Sequence, residues 1–156
     1  MNIFLPYPED VPRSAAVLDD RRLVKQILEC KILLDIAVQN RKDGYSRHPV
    51  AVHYRTQPNF LRYYGWICCR EYLHRFDRKH AYEPIFEPFG VEEKQLDYIP
   101  FYAEGSRTDP NSIRTTENVG ELFRAKLCRK WESDRTEPRW TNRTEPEFYR
   151  TEEKTK

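Results

Sequence analysis

The chain has 156 residues, of which 38% are hydrophobic and 13% aromatic, and its formal net charge is +2. This length suits one domain with a real core and is too short for two. No apolar run approaches the roughly 18–20 residues of a membrane span, and no secretory signal pattern is visible. We therefore expect one soluble, cytoplasmic domain.

The charge is distributed unevenly along the chain. Residues 1–80 carry 14 lysines and arginines against nine acidic residues, whereas residues 81–156 carry 13 against 16. A basic N-terminal half is compatible with a phosphate-bearing partner, but the excess is too small to demonstrate one.

The cysteines show no C-x-x-C spacing and are predicted to be buried, reduced thiols that act as small hydrophobes. They are Cys30, Cys68, Cys69 and Cys128. The alternative is a zinc site that uses histidine ligands. The four candidates are His48, His53, His74 and His80. No ligand spacing supports such a site, and we predict no metal or cofactor.

The first long element is an amphipathic helix. Its apolar stripe repeats at i, i+4, i+7, i+11 and i+14, and consists of Leu23, Ile27, Cys30, Leu34 and Ala37. Asp19 or Asp20 can cap the helix, which should run to about Asn40. Before it, Ser14 is expected to cap a short turn over residues 15–17.

The later elements continue the helical pattern. Pro49 suits a first helical position, a helix from Pro58 should end near Phe76, and Thr116 can cap another. Between residues 81 and 116 we expect a long irregular connection whose aromatic side chains, Phe89 among them, pack on the body. Three aromatic side chains are expected to anchor the polar tail: Trp140, Phe148 and Tyr149.

These elements predict a mainly α fold, a compact single helical domain with about three main helices and an extended N-terminal segment. The domain is expected to span residues 1–150, and residues 151–156 to form a disordered tail.

Glu29 is the most informative residue of the first long helix. At about 100° per residue it falls beside the apolar stripe, next to Arg22 and Lys25. A carboxylate at the border of an apolar and a basic face is placed for chemistry on an anionic substrate. The alternative is an ordinary solvated or ion-paired glutamate.

Several short patterns occur in a fixed order. They are Leu18, Leu23 and Glu29, then Gly-Tyr-x-x-His-Pro at 44–49, then Glu-Tyr-x-x-Arg-Phe-x-x-Lys-His at 71–80, then Pro-Phe at 100–101 and Lys-Trp at 130–131. This set resembles the pyrimidine-dimer DNA glycosylase family of phages and bacteria over most of residues 1–150. The resemblance implies a helical domain that binds damaged duplex DNA, cleaves an N-glycosidic bond and nicks the resulting abasic site.

The resemblance also assigns catalytic roles. The N-terminal α-amine attacks the sugar C1′ to form an imine, and a helix glutamate at the position of Glu29 assists. An α-amine has a pKa of about 7.7–8, so part of it is unprotonated near neutral pH. Because Asn2 is large enough to discourage removal of the initiator methionine, the expected amine is that of Met1. Leu28 stands where the best-studied branch has an arginine.

Further candidates surround these two. Arg21, Arg22, Lys25 and Arg47 could hold phosphates, with a solvated basic face as the alternative. His48 is expected to lock its turn by a backbone hydrogen bond, and direct support of catalysis is the alternative. Four tyrosines could stack on an extruded base, although core packing is favoured for each: Tyr45, Tyr54, Tyr63 and Tyr64.

The leading hypothesis is a DNA N-glycosylase for a damaged or modified base, with an abasic-site lyase step. Two alternatives remain open. One is a glycosidic hydrolase or binder of a free nucleotide, and the other is a non-enzymatic accessory protein that binds nucleic acid or protein. The expected partner is duplex DNA or a nucleotide, and the sequence does not give the oligomeric state.

Overall fold

The fold comes from a computed structural model, which describes residues 1–87, 97–106 and 108–149. The helices are α1 (Val11–Ala16), α2 (Asp20–Gln39), α3 (Pro49–Tyr54), α4 (Pro58–Phe76), α5 (Glu83–Phe86) and α6 (Val119–Ser133), with a 3₁₀ turn at Gly44–Arg47. Strands β1 (Tyr102–Glu104) and β2 (Ile113–Thr115) pair antiparallel. Among the described residues, no helix is long and apolar enough to cross a membrane.

The core forms mainly between α2 and α4. The predicted stripe on α2 is confirmed, since Leu23, Ile27 and Cys30 are fully buried. Asn40 ends α2 in a left-handed conformation (φ 49°), which asparagine tolerates better than most residues. The mainly α prediction with three long helices is confirmed.

The N-terminal segment is extended and buried against this helix pair. Ile3 and Leu5 are fully buried, and the Tyr64 hydroxyl donates to the Phe4 carbonyl at 2.5 Å. Burying extended backbone requires partners for its polar groups. Side chains of α2 and α4 provide them, which fixes where the first residues lie.

Two predicted helix caps are wrong. Ser14 lies inside α1, which begins at Val11 after an Asp10 cap, and its hydroxyl instead bonds the backbone of Tyr7. The last long helix begins after Asn118, which has a left-handed φ of 55°, and not after Thr116.

The connection before α6 contains short helical turns as expected, but the β1–β2 pair was not predicted. Its three-residue strands are too short to show alternation above the background. The segment that joins β1 to β2 is longer than either strand, so no short hairpin turn marks the pair in the sequence. The prediction for Phe89 falls outside the described residues, and so does that for residues 151–156.

The tail predictions are confirmed for the described residues. Trp131 of α6 contacts Trp140, Phe148 and Tyr149, with ring centroids 5.1–5.6 Å apart. Aromatic contacts of this kind bury large apolar areas. All four cysteines are free and buried, also as predicted.

Candidate active site

Glu29 and the N-terminus meet on one side of α2. Glu29 is only 6% exposed, and the backbone N–H of Asn2 donates to its Oε2 at 3.1 Å. Met1, the preceding residue, is half-buried. The two residues predicted from distant parts of the sequence are therefore neighbours.

Met1 lies in a cleft of about 450 Å³ that is lined by basic side chains from three elements. Arg47 comes from the 3₁₀ turn, Arg114 from β2 and Lys126 from α6. Among the described residues, no ion pair joins any of these three to a carboxylate. Unpaired cations around a cleft attract an anionic ligand.

The surroundings of Met1 favour the neutral form of its amine. Burial lowers the pKa of the Met1 α-amine, and the positive charges of Lys25, Lys126 and Lys130 lower it further, whereas Glu29 acts in the opposite direction. A lowered amine pKa raises the fraction that is nucleophilic near neutral pH.

Lys126 of α6 and Asn2 of the N-terminal segment bind the same backbone carbonyl of β1. The Lys126 Nζ donates to the Ala103 carbonyl at 3.4 Å, and the Asn2 side chain donates to the same oxygen at 3.2 Å. Burial lowers the pKa of Lys126, and Lys130 and Arg129 lower it further against the effect of Glu104.

His48 lines the cleft and caps α3. Its Nδ1 accepts from the Val50 N–H at 3.2 Å, which confirms the predicted turn-locking hydrogen bond. Burial lowers the pKa of His48, as do the nearby charges of the N-terminus and Arg114. These surroundings disfavour the charged form of the ring.

The three basic residues predicted on the first turns of α2 have different surroundings. Arg22 makes two hydrogen bonds to Asp134, at 2.8 and 3.0 Å, and also contacts Asp19. Arg21 is exposed and lines a separate cleft. Lys25 is exposed and close enough to affect the Met1 amine. Arg22 would have to exchange partners to hold a phosphate.

The four candidate tyrosines are also separated by the fold. Tyr54, Tyr63 and Tyr64 are buried in the core. Tyr45 is 64% exposed and lines the cleft that contains Met1. Tyr45 is therefore the one of the four whose ring is open to a ligand.

Arg114 and Lys126 were not predicted from the sequence. Both lie outside the N-terminal half whose charge excess drew attention, and only the fold brings β2 and α6 to Met1.

Comparison with known proteins gives one match. The model of the family described as pyrimidine dimer DNA glycosylase matches residues 1–84, more than half of the 156-residue chain. This range contains Met1, Glu29 and the cleft residues Tyr45, Arg47 and His48. No curated protein and no solved structure gives a significant match. The chain therefore belongs to the pyrimidine dimer DNA glycosylase family, which implies glycosylase activity on pyrimidine dimers in DNA.

Proposed function

We propose that this protein is a DNA glycosylase that also cleaves abasic sites, with the Met1 α-amine as nucleophile and Glu29 as the catalytic carboxylate. The observation that carries the proposal is the buried Glu29, whose Oε2 accepts the Asn2 N–H at 3.1 Å, directly behind the cleft that Met1 and Asn2 line together with Arg47, Arg114 and Lys126. The volume of about 450 Å³ lies within the usual range for small-molecule sites, about 300–1,000 Å³. An extruded nucleotide is a substrate of suitable size.

The chemistry follows from these groups. The lone pair of the Met1 amine attacks the sugar C1′, and the C1′–base bond breaks with its electron pair going to the base, which then takes up a proton. Glu29 stabilises the cationic sugar that develops, accepts a proton from the nitrogen and returns it to the ring oxygen as the sugar opens. The product is an imine. Glu29, again unprotonated, takes up the C2′ proton, and the C3′–O bond breaks with its electron pair going to the 3′ phosphate, which nicks the strand. Hydrolysis of the imine by water then frees the Met1 amine.

The basic side chains near Met1 are proposed to bind the DNA backbone. Arg47 and Lys25 approach the cleft from the 3₁₀ turn and from α2, and we assign them to the phosphates on either side of the reacting sugar. His48, whose Nδ1 accepts the Val50 N–H at the start of α3, supports the position of this turn. Arg21 would contact DNA only where the duplex extends beyond the cleft.

A Glu29→Gln variant tests this function on a duplex that contains a single cyclobutane dimer. The amide keeps the shape but cannot accept the proton, so turnover should fall by about 10²–10⁴-fold while duplex affinity stays near the wild-type value. Asp35→Asn is the matched control, since Asp35 lies on the same helix and pairs with Lys31 near the surface.

Three results would contradict the proposal. The first is equal loss of binding and turnover in Glu29→Gln, and the second is full activity of this variant. The third is a wild-type protein that hydrolyses a free nucleotide and leaves the dimer duplex intact, which would favour the nucleotide alternative.

A further inference from the structure

We infer that Gln26 is a positioning residue for the nucleophile, an inference that rests on the proposed role of Met1. Gln26 lies one helical turn before Glu29 on α2 and is only 1% exposed. A polar side chain buried this deeply in a helix face needs hydrogen-bond partners. Two of its partners, Phe4 and Asn2, belong to the N-terminal segment, and its Nε2 also lies 4.0 Å from the Cys30 Sγ.

The Gln26 amide binds the extended backbone at two points. Its Oε1 accepts from the Phe4 N–H at 2.8 Å, and its Nε2 donates to the Asn2 carbonyl at 3.1 Å. One side chain thus occupies the place that a neighbouring strand would take beside residues 2–4. The donor and acceptor of this backbone also fix which way round the amide lies.

This clamp sets the register of the segment relative to Glu29. Asn2 is held by its carbonyl at Gln26, by its N–H at Glu29 and by its side chain at Ala103. Met1 directly precedes Asn2, so the position of its amine depends on all three bonds. Gln26 and Glu29 are three residues apart on one helix, so the clamp and the carboxylate cannot move independently.

The effect on the reaction is one of alignment, because Gln26 itself does not line the cleft. Loss of the clamp would let Met1 shift relative to Glu29 without removing either group. Misplacement of reacting groups by about 1 Å costs on the order of 10²-fold in rate. Substrate binding through Arg47 and Lys25 should be unaffected.

The test measures borohydride trapping on a saturating abasic-site duplex. Gln26→Met keeps the volume and removes both bonds, so we expect the trapping rate to fall by about 10²-fold with little change in the half-saturating duplex concentration. Ser14→Ala is the matched control, because Ser14 makes the same kind of two-point contact with Tyr7. Ser14→Ala should weaken the contact at Tyr7, away from Met1, and leave the trapping rate nearly unchanged.

A second variant and a measurement on the wild type keep the inference testable if Gln26→Met does not fold. Gln26→Glu keeps the acceptor for Phe4, loses the donor to Asn2 and should trap about tenfold more slowly. In the wild type, hydrogen exchange at the Phe4 amide should be strongly protected. Wild-type trapping rates in a folded Gln26 variant, or fast exchange at Phe4, would overturn the inference. Absence of any adduct in the wild type would instead count against the proposed function.

Discussion

The first turn of α2 and the position of Glu29 in the middle of the helix use charged residues in opposite ways. At the first turn, Asp20 binds Arg75 at 3.0 Å and the Thr141 hydroxyl at 2.6 Å, and Arg22 binds Asp134 at 2.8 Å. At the middle of the helix, Glu29 holds a backbone N–H at 3.1 Å. Among the described residues it forms no ion pair.

The difference separates charges that stabilise the fold from charges that are available to a substrate. Burial alone would raise the pKa of Glu71, but hydrogen bonds from Arg143 and Arg75 lower it, as is typical of a carboxylate paired in the folded state. The basic residues around Met1 lack such partners among the described residues. Charged groups kept near each other without pairing cost stability and are typical of functional sites.

The largest effect, on the free energy of unfolding, should come from removing Arg75 from its ion pairs. Arg75 is buried and binds Glu71 at 2.7 Å and Asp20 at 3.0 Å, so Arg75→Met leaves buried carboxylates with fewer partners. We expect a loss of about 3–5 kcal/mol in the free energy of unfolding, measured by urea titration. The trapping rate of the protein that remains folded should be unchanged. If Arg75→Met lost most of its trapping rate at normal stability, the ion-paired residues would not be separate in function from those around Met1.

Two arginines of the N-terminal half allow a direct comparison. Arg22→Gln should lower the free energy of unfolding by about 1–3 kcal/mol because it leaves Asp134 unpaired. Arg47→Gln should change stability by less than about 0.5 kcal/mol but reduce the salt dependence of duplex binding by about one phosphate contact. Binding titrations at several salt concentrations check this. The opposite assignment of the two effects would contradict the account.

Substitutions of Tyr45 should affect duplex binding and leave stability nearly unchanged. Because its ring is 64% exposed, Tyr45→Ala should barely alter stability, whereas a lost stacking contact with a base costs about 1–3 kcal/mol of binding. Tyr45→Phe keeps the ring and should bind like the wild type. Equal affinities of the alanine and phenylalanine variants for a lesion duplex would exclude stacking.

The smallest expected effect is a shift in pH dependence. The charge of Lys126 helps to lower the pKa of the Met1 amine, so Lys126→Met should raise that pKa towards its ordinary value of about 8. The rising limb of the trapping rate against pH should then move to higher pH. Lys31→Met, which removes a lysine paired with Asp35, should not move it. A shift to lower pH would contradict the assigned electrostatics.

Much of the helical part of the fold could be predicted from the sequence because local periodicity encodes it. The start of α2 was predicted from Asp19 or Asp20 as a cap, and its length from an apolar stripe that ends at Ala37. The β1–β2 pair and the Asn118 cap could not be predicted, since strands of three residues and a left-handed asparagine leave little local signal.

The candidate site divides in the same way. Glu29 was visible as a carboxylate beside an apolar stripe, and the motif at Gly44–Pro49 was visible as one of the patterns that carry the family resemblance. Arg114 and Lys126 lie more than 80 residues after Glu29. Nothing in their local sequence indicates that the hairpin and α6 place them beside Met1.

The central claim is that the Met1 amine acts together with Glu29. Borohydride reduction during incubation with an abasic-site duplex, followed by peptide mapping of the adduct, tests it most directly. The account predicts one covalent adduct on the α-amine of Met1, strongly reduced in Glu29→Gln. An adduct confined to a lysine such as Lys126, or tight binding of the duplex with no adduct, would contradict it.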